Sequence, residues 1–393
     1  MKKIICAVAL LLTVAAASAQ KFEQVLENIV SASPELKALE MEHAAESEAM
    51  AQENVLSGPE LEGFHKWGTE GDTKYGVGIS QGFDWPGLYR ARKAARKAND
   101  NALEQLRLSS RINRSLEVRL LMIQLITTGE QLRVVRQANE NMANLLALYQ
   151  RGFEAGEESI LDVNKLKIER LRLNRRSVAL QDARQELLEQ IAAIAGSSAY
   201  TADLTSLTLD DIPVGKIAEE AYYEELIDRG PQMQYLRAMK EAALQSERVA
   251  RLSGYPSFSL GYELEREDGQ YFNGISVNIG LPSWSNRHRK ASARYQVMEQ
   301  EVKANASRLA DILRMRRLRQ SAIRATAEKD MFSTILDSTN QDILLKKALD
   351  GGQISLMTYL QELGYFLDAR CDYYETVNNA AQLCAELNKY DKQ

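Results

Sequence analysis

Histidine and cysteine are scarce in this chain, with three of each among 393 residues. His43, His65 and His288 stand far apart, without the i, i+4 spacing that sets two imidazoles on one helix face, so no metal site is expected. Cys6 falls in an N-terminal apolar run. Cys371 and Cys384 are 13 residues apart, about 20 Å along a helix, too far for a disulfide, and buried free thiols are expected. No nucleophile and base stand in a recognisable arrangement. The glycine-rich run from Gly76 to Gly82 alternates like a strand and lacks the lysine of a phosphate loop. Neither enzyme activity, nor catalytic residues, nor a cofactor is therefore expected.

Beyond the N-terminus no run is apolar for the roughly 20 residues that a membrane helix needs, and mean hydropathy is −0.35. Membrane insertion of the remaining chain would have to use β-strands. The N-terminus itself carries Lys2 and Lys3, an apolar run from Ile4 to Ala17, and Ala17-Ser18-Ala19. This reads as a secretory signal, residues 1–19, removed on export. Cys6 lies too early in that segment to become a lipidated first residue. Loss of two lysines and no acid would take the net charge from −5 to −7, and an exported acidic chain is not expected to bind nucleic acid.

Only seven prolines are present, and six of them pair: Pro34 with Pro231 and Pro59 with Pro256 at a spacing of 197, Pro86 with Pro282 at 196. Gly78-Ile79-Ser80 returns as Gly274-Ile275-Ser276, and Gly156 and Ser159 return as Gly352 and Ser355. The chain is thus a tandem duplication. The first repeat covers 20–196 with a hairpin at about 59–84. A Ser-, Thr- and Asp-rich linker covers 197–216, and the second repeat covers 217–393 with a hairpin at about 256–281. Because the spacing falls by one between the Pro59 and Pro86 pairs, the second hairpin is expected to be one residue shorter.

Within the hairpins, Tyr75, Val77, Ile79 and Phe83 alternate with Gly76, Gly78, Ser80 and Gly82, giving one apolar and one small or polar face. The strands near 258–264 and 271–281 do the same, with Phe272 as the exception. Strands of about 9 to 11 residues fit a membrane barrel, and fit equally a soluble four-stranded sheet packed on helices. Helix length shifts the balance. Gly87 to Gly152 contains only Gly129 as a helix-weakening residue, and Trp284 to Gly351 contains no glycine or proline between its ends. Each stretch reads as one helix on the order of 95 to 100 Å long, well beyond the globular norm. Leu116, Leu120 and Ile123 form one stripe and Val118, Leu121 and Leu125 another, so such a helix needs a neighbour on each side. The basic run Arg314 to Arg319 reads as a solvated helix face.

Two stretches carry a resemblance: YGVGISQGFDWPGLYRAR from Tyr75 to Arg92, and YQRGFEAGEESILDV from Tyr149 to Val163. With the duplication, the signal and the helix lengths, the chain resembles the TolC-type outer membrane efflux proteins over nearly its whole length. That resemblance implies a mainly α fold of duplicated long-helix hairpins forming a periplasmic α-barrel. Each protomer of a homotrimer would add four strands to a shared 12-stranded transmembrane β-barrel. The implied function is a passive exit duct of a tripartite efflux or type I secretion system in the outer membrane of a Gram-negative bacterium. Its implied partners are a periplasmic adaptor and an inner-membrane pump, of the heavy-metal or drug exporting type.

On that pattern Gly76, Gly78, Ser80, Gly82, Gly274 and Ser276 would face the lumen, while Tyr75, Ile79, Phe83, Ile275 and Ile279 would face lipid. The two helix turns would contact the adaptor, through Arg151, Gly152, Gly156 and Ser159 in the first and Gly351, Gly352 and Ser355 in the second. Asp162 matches an acid at the closed end of the family's tunnel. With Glu157 and Glu158 it would form a periplasmic gate held by bonds to neighbouring helices. Thr358 and Gln361 depart from the paired aspartates of some members. A periplasmic helical scaffold or adaptor without a pore is the alternative, but it does not require two alternating hairpins.

Overall fold

The computed structural model describes residues 20–68, 73–213, 215–281, 286–338 and 341–391. The segment 1–19 expected to be a signal, the middle of the first hairpin tip and Pro282 lie outside them. Helix α1 covers 20–32, and α2, Pro34–Gln52, starts on a proline whose fixed φ suits a first helical position. Strands β1 (Glu60–Trp67) and β2 (Thr73–Phe83) follow. Then come α3, Pro86–Glu154, with 69 residues, and α4, Ile160–Ala195. After a short α5, Thr201–Thr205, the order repeats as α6 (Glu220–Arg229), α7 (Pro231–Leu252), β3 (Ser257–Glu267), β4 (Gln270–Gly280) and α8 (Asn286–Ser338). Helices α9, Gln341–Asp350, and α10, Leu356–Leu387, complete it. The second long helical stretch is thus described as α8 and α9, with 339–340 between them outside the described residues.

The chain forms two compact units that do not coincide with the repeats, since each takes parts of both. One holds the chain up to Leu36 with Ser110–Leu226 and Ile312 onward; the other holds Lys37–Ser109 and Ile227–Asp311. In the first unit, Phe22, Ile29 and Val30 of α1 bury against Val118, Met122 and Ile123 of α3 and Ile191 of α4. Each such side chain contributes about 1.5 to 3 kcal/mol on burial. Both stripes of α3 are used, because Val118 and Leu125 are as buried as Ile123 while the Leu120 carbonyl accepts a bond from Gln382 of α10. The stretch between the repeats also packs here, through Leu204 and Leu207.

A second cluster joins Met142 and Leu146 of α3, Val163 and Leu166 of α4, and Leu356, Tyr359 and Leu367 of α10. Cys371 and Cys384 are buried free thiols. Arg314, Arg316 and Arg317 are exposed, as expected of a solvated face, and several of these arginines also find partners. Arg314 pairs with Glu386 of α10 and Arg316 with Glu220 and Glu224 of α6, while Arg319 donates to the Ala218 carbonyl just before α6.

The second unit holds one antiparallel sheet in the order β1-β2-β3-β4. Pro59 and Pro256 stand at a spacing of 197 but Gly78 and Gly274 at 196, so the expected one-residue shortening lies within the hairpin, between Pro59 and Gly78. Strand lengths differ as well, β1 being shorter than β3. Asp268 and Gly269, at φ 46° and 85°, close the second hairpin in two residues, the geometry favoured by strand twist. Gly78 therefore pairs with Glu62, whereas its counterpart Gly274 pairs with Glu263, four residues beyond Ser259, the counterpart of Glu62. An even shift keeps every side chain on its original face.

Among the described residues, no helix is long and apolar enough to cross a membrane.

Candidate functional site

Paired residues of an antiparallel sheet share a face, so the register sorts all four strands. Gly76, Gly78, Ser80 and Gly82 of β2 pair with Glu265, Glu263, Gly261 and Ser259, and these pair in turn with Phe272, Gly274, Ser276 and Asn278. All six positions expected on the small face are together. Close packing explains two of the glycines: a Cβ on Gly76 would lie 2.8 Å from the Phe64 ring, and one on Gly78 would lie 3.0 Å from Glu263 Cγ. This face also carries Glu60, Glu62, Glu263, Glu265 and Glu267 against Lys66 and Lys74, with Lys74 bonded to Glu265 at 2.6 Å. Near its foot, a hollow of about 530 Å³ is lined by Glu60, Ser80, Gly82, Ser259 and Asn278.

On the opposite face stand Tyr75, Ile79, Phe83, Ile275 and Ile279, again together, with Val77, Leu260, Tyr262 and Val277. These side chains are exposed: Ile275 is 77% and Ile79 50% accessible. Polar and aromatic groups bound the apolar band at both ends. At the hairpin tips, Arg266 lies over the rings of Tyr271 and Tyr75 at 5.3 and 5.9 Å, and His65 meets Trp67 edge-on at 5.7 Å. At the foot, Trp85 stacks on Tyr255 at 5.4 Å and lies 6.2 Å from Phe258. From Tyr75 to Phe83 the strand rises about 27 Å, or about 21 Å at a barrel's usual tilt, close to the height of a membrane band.

The two helix turns of the first unit share three backbone hydrogen bonds. In the first, Ala155 donates to the Arg151 carbonyl, Gly156 to Phe153 and Glu157 to Gly152 at 3.0, 3.0 and 2.8 Å. In the second, Gly351 donates to Lys347, Gly352 to Leu349 and Gln353 to Ala348 at 2.9, 3.0 and 2.8 Å, each pair 196 residues later. Gly156 and Gly352 have φ of 79° and 67°, the left-handed conformation that ends such helices. Ser159 then caps α4 by accepting from the Leu161 N–H at 3.1 Å, and Ser355 caps α10 by accepting from Thr358 N–H at the same distance. Gly152 carries no such φ. A Cβ there would sit 2.6 Å from the Glu158 side chain.

Side chains separate the turns. Arg151, Glu157, Glu158 and Asp162 of the first correspond to Lys347, Gln353, Ile354 and Thr358 of the second. Asp162 bonds Lys165 of its own helix at 2.9 Å, so within the protomer its partner is not the neighbouring helix expected for a gate. Sequence reasoning did not single out Tyr149, which lies among these acids. Burial first, and then the charges of Glu158, Asp162 and Asp350, push its phenol pKa up. Thus two acids of the first turn, Glu158 and Asp162, and Asp350 of the second all act on Tyr149. Because α4 and α9 reach this place from distant parts of the chain, no local motif signals it. Just beyond, a groove of about 550 Å³ between α4 and α10 is lined by Lys165, Arg172, Met357, Gln361 and Tyr365. Arg176 and Asp368 join its walls at 2.6 Å.

No family model and no curated protein sequence matches the chain. Solved structures do match it in fold. A crystal structure of a membrane protein from Pseudomonas aeruginosa superposes with a TM-score of 0.79 at 14% identity, covering 94% of this chain and 92% of that one. The outer membrane protein VceC from Vibrio cholerae gives 0.74 at 15%, covering 94% and 96%. The open state of the Neisseria gonorrhoeae MtrE outer membrane channel gives 0.74 at 13%, covering 94% and 88%.

Proposed function

We propose that this chain, which has the fold of the TolC-like outer membrane channels, is itself such a channel. It would serve as the passive exit duct of a tripartite efflux or type I secretion system in a Gram-negative outer membrane. The observation that carries this reading is the sheet. A soluble sheet of this size covers its apolar face with helices, but here that face is exposed and bounded by aromatics at both ends, the pattern of a lipid-facing wall. In that reading the small face lines a pore and its glutamates favour cations.

A homotrimer follows from the same physics. Strands β1 and β4 are free edges of a four-stranded sheet, and edges cannot stand unpaired in lipid. Three copies supply twelve strands, an even number within the usual range. Leu161, Ile168, Leu171 and Val178 are exposed along α4 at spacings of seven, three and seven, a seam that suits a helix of the next copy.

The two turns, with the groove beyond them, would receive the periplasmic adaptor, and Asp162, Glu157 and Glu158 would surround the gate. Energy would come from the inner-membrane pump, with no reaction in the duct. The scaffold alternative leaves the exposed apolar sheet without a purpose. Fractionation followed by reconstitution into planar bilayers tests the reading. Discrete conductance steps from a trimer recovered with outer membranes are expected, and a soluble monomer without channel events would exclude it.

A further inference from the structure

Two basic stripes stand at the foot of the sheet. On α3, Arg90, Lys93 and Lys97 are exposed at spacings of three and four, one line on the helix surface. On α8, Arg287, Lys290 and Arg294 form a line with the same spacings of three and four, one residue out of step with the repeat, and are exposed as well. Their neighbours Arg92 and Arg96 turn the other way, to Asp84 at 2.8 Å and Glu48 at 3.5 Å. Among the described residues, none of the six forms an ion pair.

Helix stability does not account for them. The first turns of α3 and α8 contain no acid, and in α8 Arg287 and Lys290 lie at the positive end of the helix dipole, where cations are unfavourable. An anion outside the chain would reverse that sign.

Depth and direction identify the anion. Trp85 and Tyr255 mark the lower edge of the apolar band. Arg90 is five residues past Trp85, about 7 Å of helical rise, and Lys97 about 18 Å. The headgroup layer extends about 5 to 8 Å beyond the hydrocarbon, and charge is felt for about 8 Å more. On α3, the bonds of Arg96 and Asn99 to α2 and of Ser109 to α7, together with buried Leu88, Ala91 and Ala95, take up the side opposite Arg90, Lys93 and Lys97. Trp85, beside the open sector, packs with Phe258 of the apolar face.

We infer that these six residues form a collar that binds the phosphates of anionic phospholipids in the periplasm-facing leaflet. It fixes the depth of the barrel and rests on the outer membrane reading above. The test is quenching of tryptophan fluorescence, to which Trp85 contributes, in full-length protein reconstituted with brominated phosphatidylglycerol or brominated phosphatidylcholine. At about 1 kcal/mol per basic residue near a surface, a preference of at least about fivefold for phosphatidylglycerol is expected at low salt, falling toward unity at about 0.5 M.

The variant R90Q/K93Q/K97Q/R287Q/K290Q/R294Q should lose the preference. K93R/K97R/K290R should keep it, as should K167Q/R170Q/R175Q, which removes exposed cations of α4. Equal quenching by both lipids, or a preference that survives loss of all six charges, overturns the collar while leaving the channel intact. Failure of the wild type to enter either bilayer overturns both.

Discussion

The two helix turns are alike in backbone and unlike in charge. Three backbone hydrogen bonds of one recur in the other at a spacing of 196 residues, and both use a left-handed glycine and a serine cap. Yet the first carries Glu157, Glu158 and Asp162 where the second carries Gln353, Ile354 and Thr358. The backbone features answer a requirement common to both, reversal of a long helix with its end groups bonded. Charge answers to none, since the second turn folds without it. Geometry at these turns is therefore structural, and the acids of the first are where function is to be sought.

Substituting the glycines should affect both turns equally. Gly156→Val and Gly352→Val each force a β-branched residue to positive φ, costing about 1 to 3 kcal/mol; chemical denaturation should give similar losses, and a large inequality would break the equivalence. The caps come next. Ser159→Ala and Ser355→Ala should each cost about 1 kcal/mol in the same measurement.

Charge should divide the turns. Asp162→Ala frees Lys165 and removes an acid from the proposed gate, and single-channel conductance should rise about twofold, the effect of well under 1 kcal/mol on a screened charge. Thr358→Ala should leave conductance unchanged. If conductance is equal to wild type in both across several salt concentrations, Asp162 has no gating role. The smallest effect is on Tyr149. Its raised pKa means that its ionisation in the folded protein is opposed by burial and by Glu158, Asp162 and Asp350. Stability from the neutral phenol is thus present below the ordinary tyrosine pKa and declines as pH rises through it. Glu158→Gln should move the phenol's absorbance titration toward lower pH, whereas Gln353→Glu, at the counterpart position, should move it less.

Much of this was legible in the sequence because punctuation residues act locally. Pro59 and Pro256 directly precede β1 and β3, and Pro86 opens α3. Alternation around Gly76 to Gly82 placed every named face residue with its companions, since a period of two survives any even change of register. The four-residue difference between hairpin registers was not legible, for it depends on how each turn closes. Nor were the partners of Arg314, Arg316 and Arg319, supplied by α10, α6 and the stretch just before α6. The charges around Tyr149 were hidden for the same reason: contacts across helices leave no local period.

Neighbouring residues on opposite faces of the sheet offer the most direct test that it is a membrane wall around a pore. With Cys371 and Cys384 buried, single cysteines at Ser80, Ile79, Ser276 and Ile275 can be probed in proteoliposomes with a membrane-impermeant maleimide. Ser80→Cys and Ser276→Cys should react through the pore, while Ile79→Cys and Ile275→Cys should stay unlabelled in lipid. Equal labelling at all four, or labelling of the isoleucine positions alone, would contradict the account.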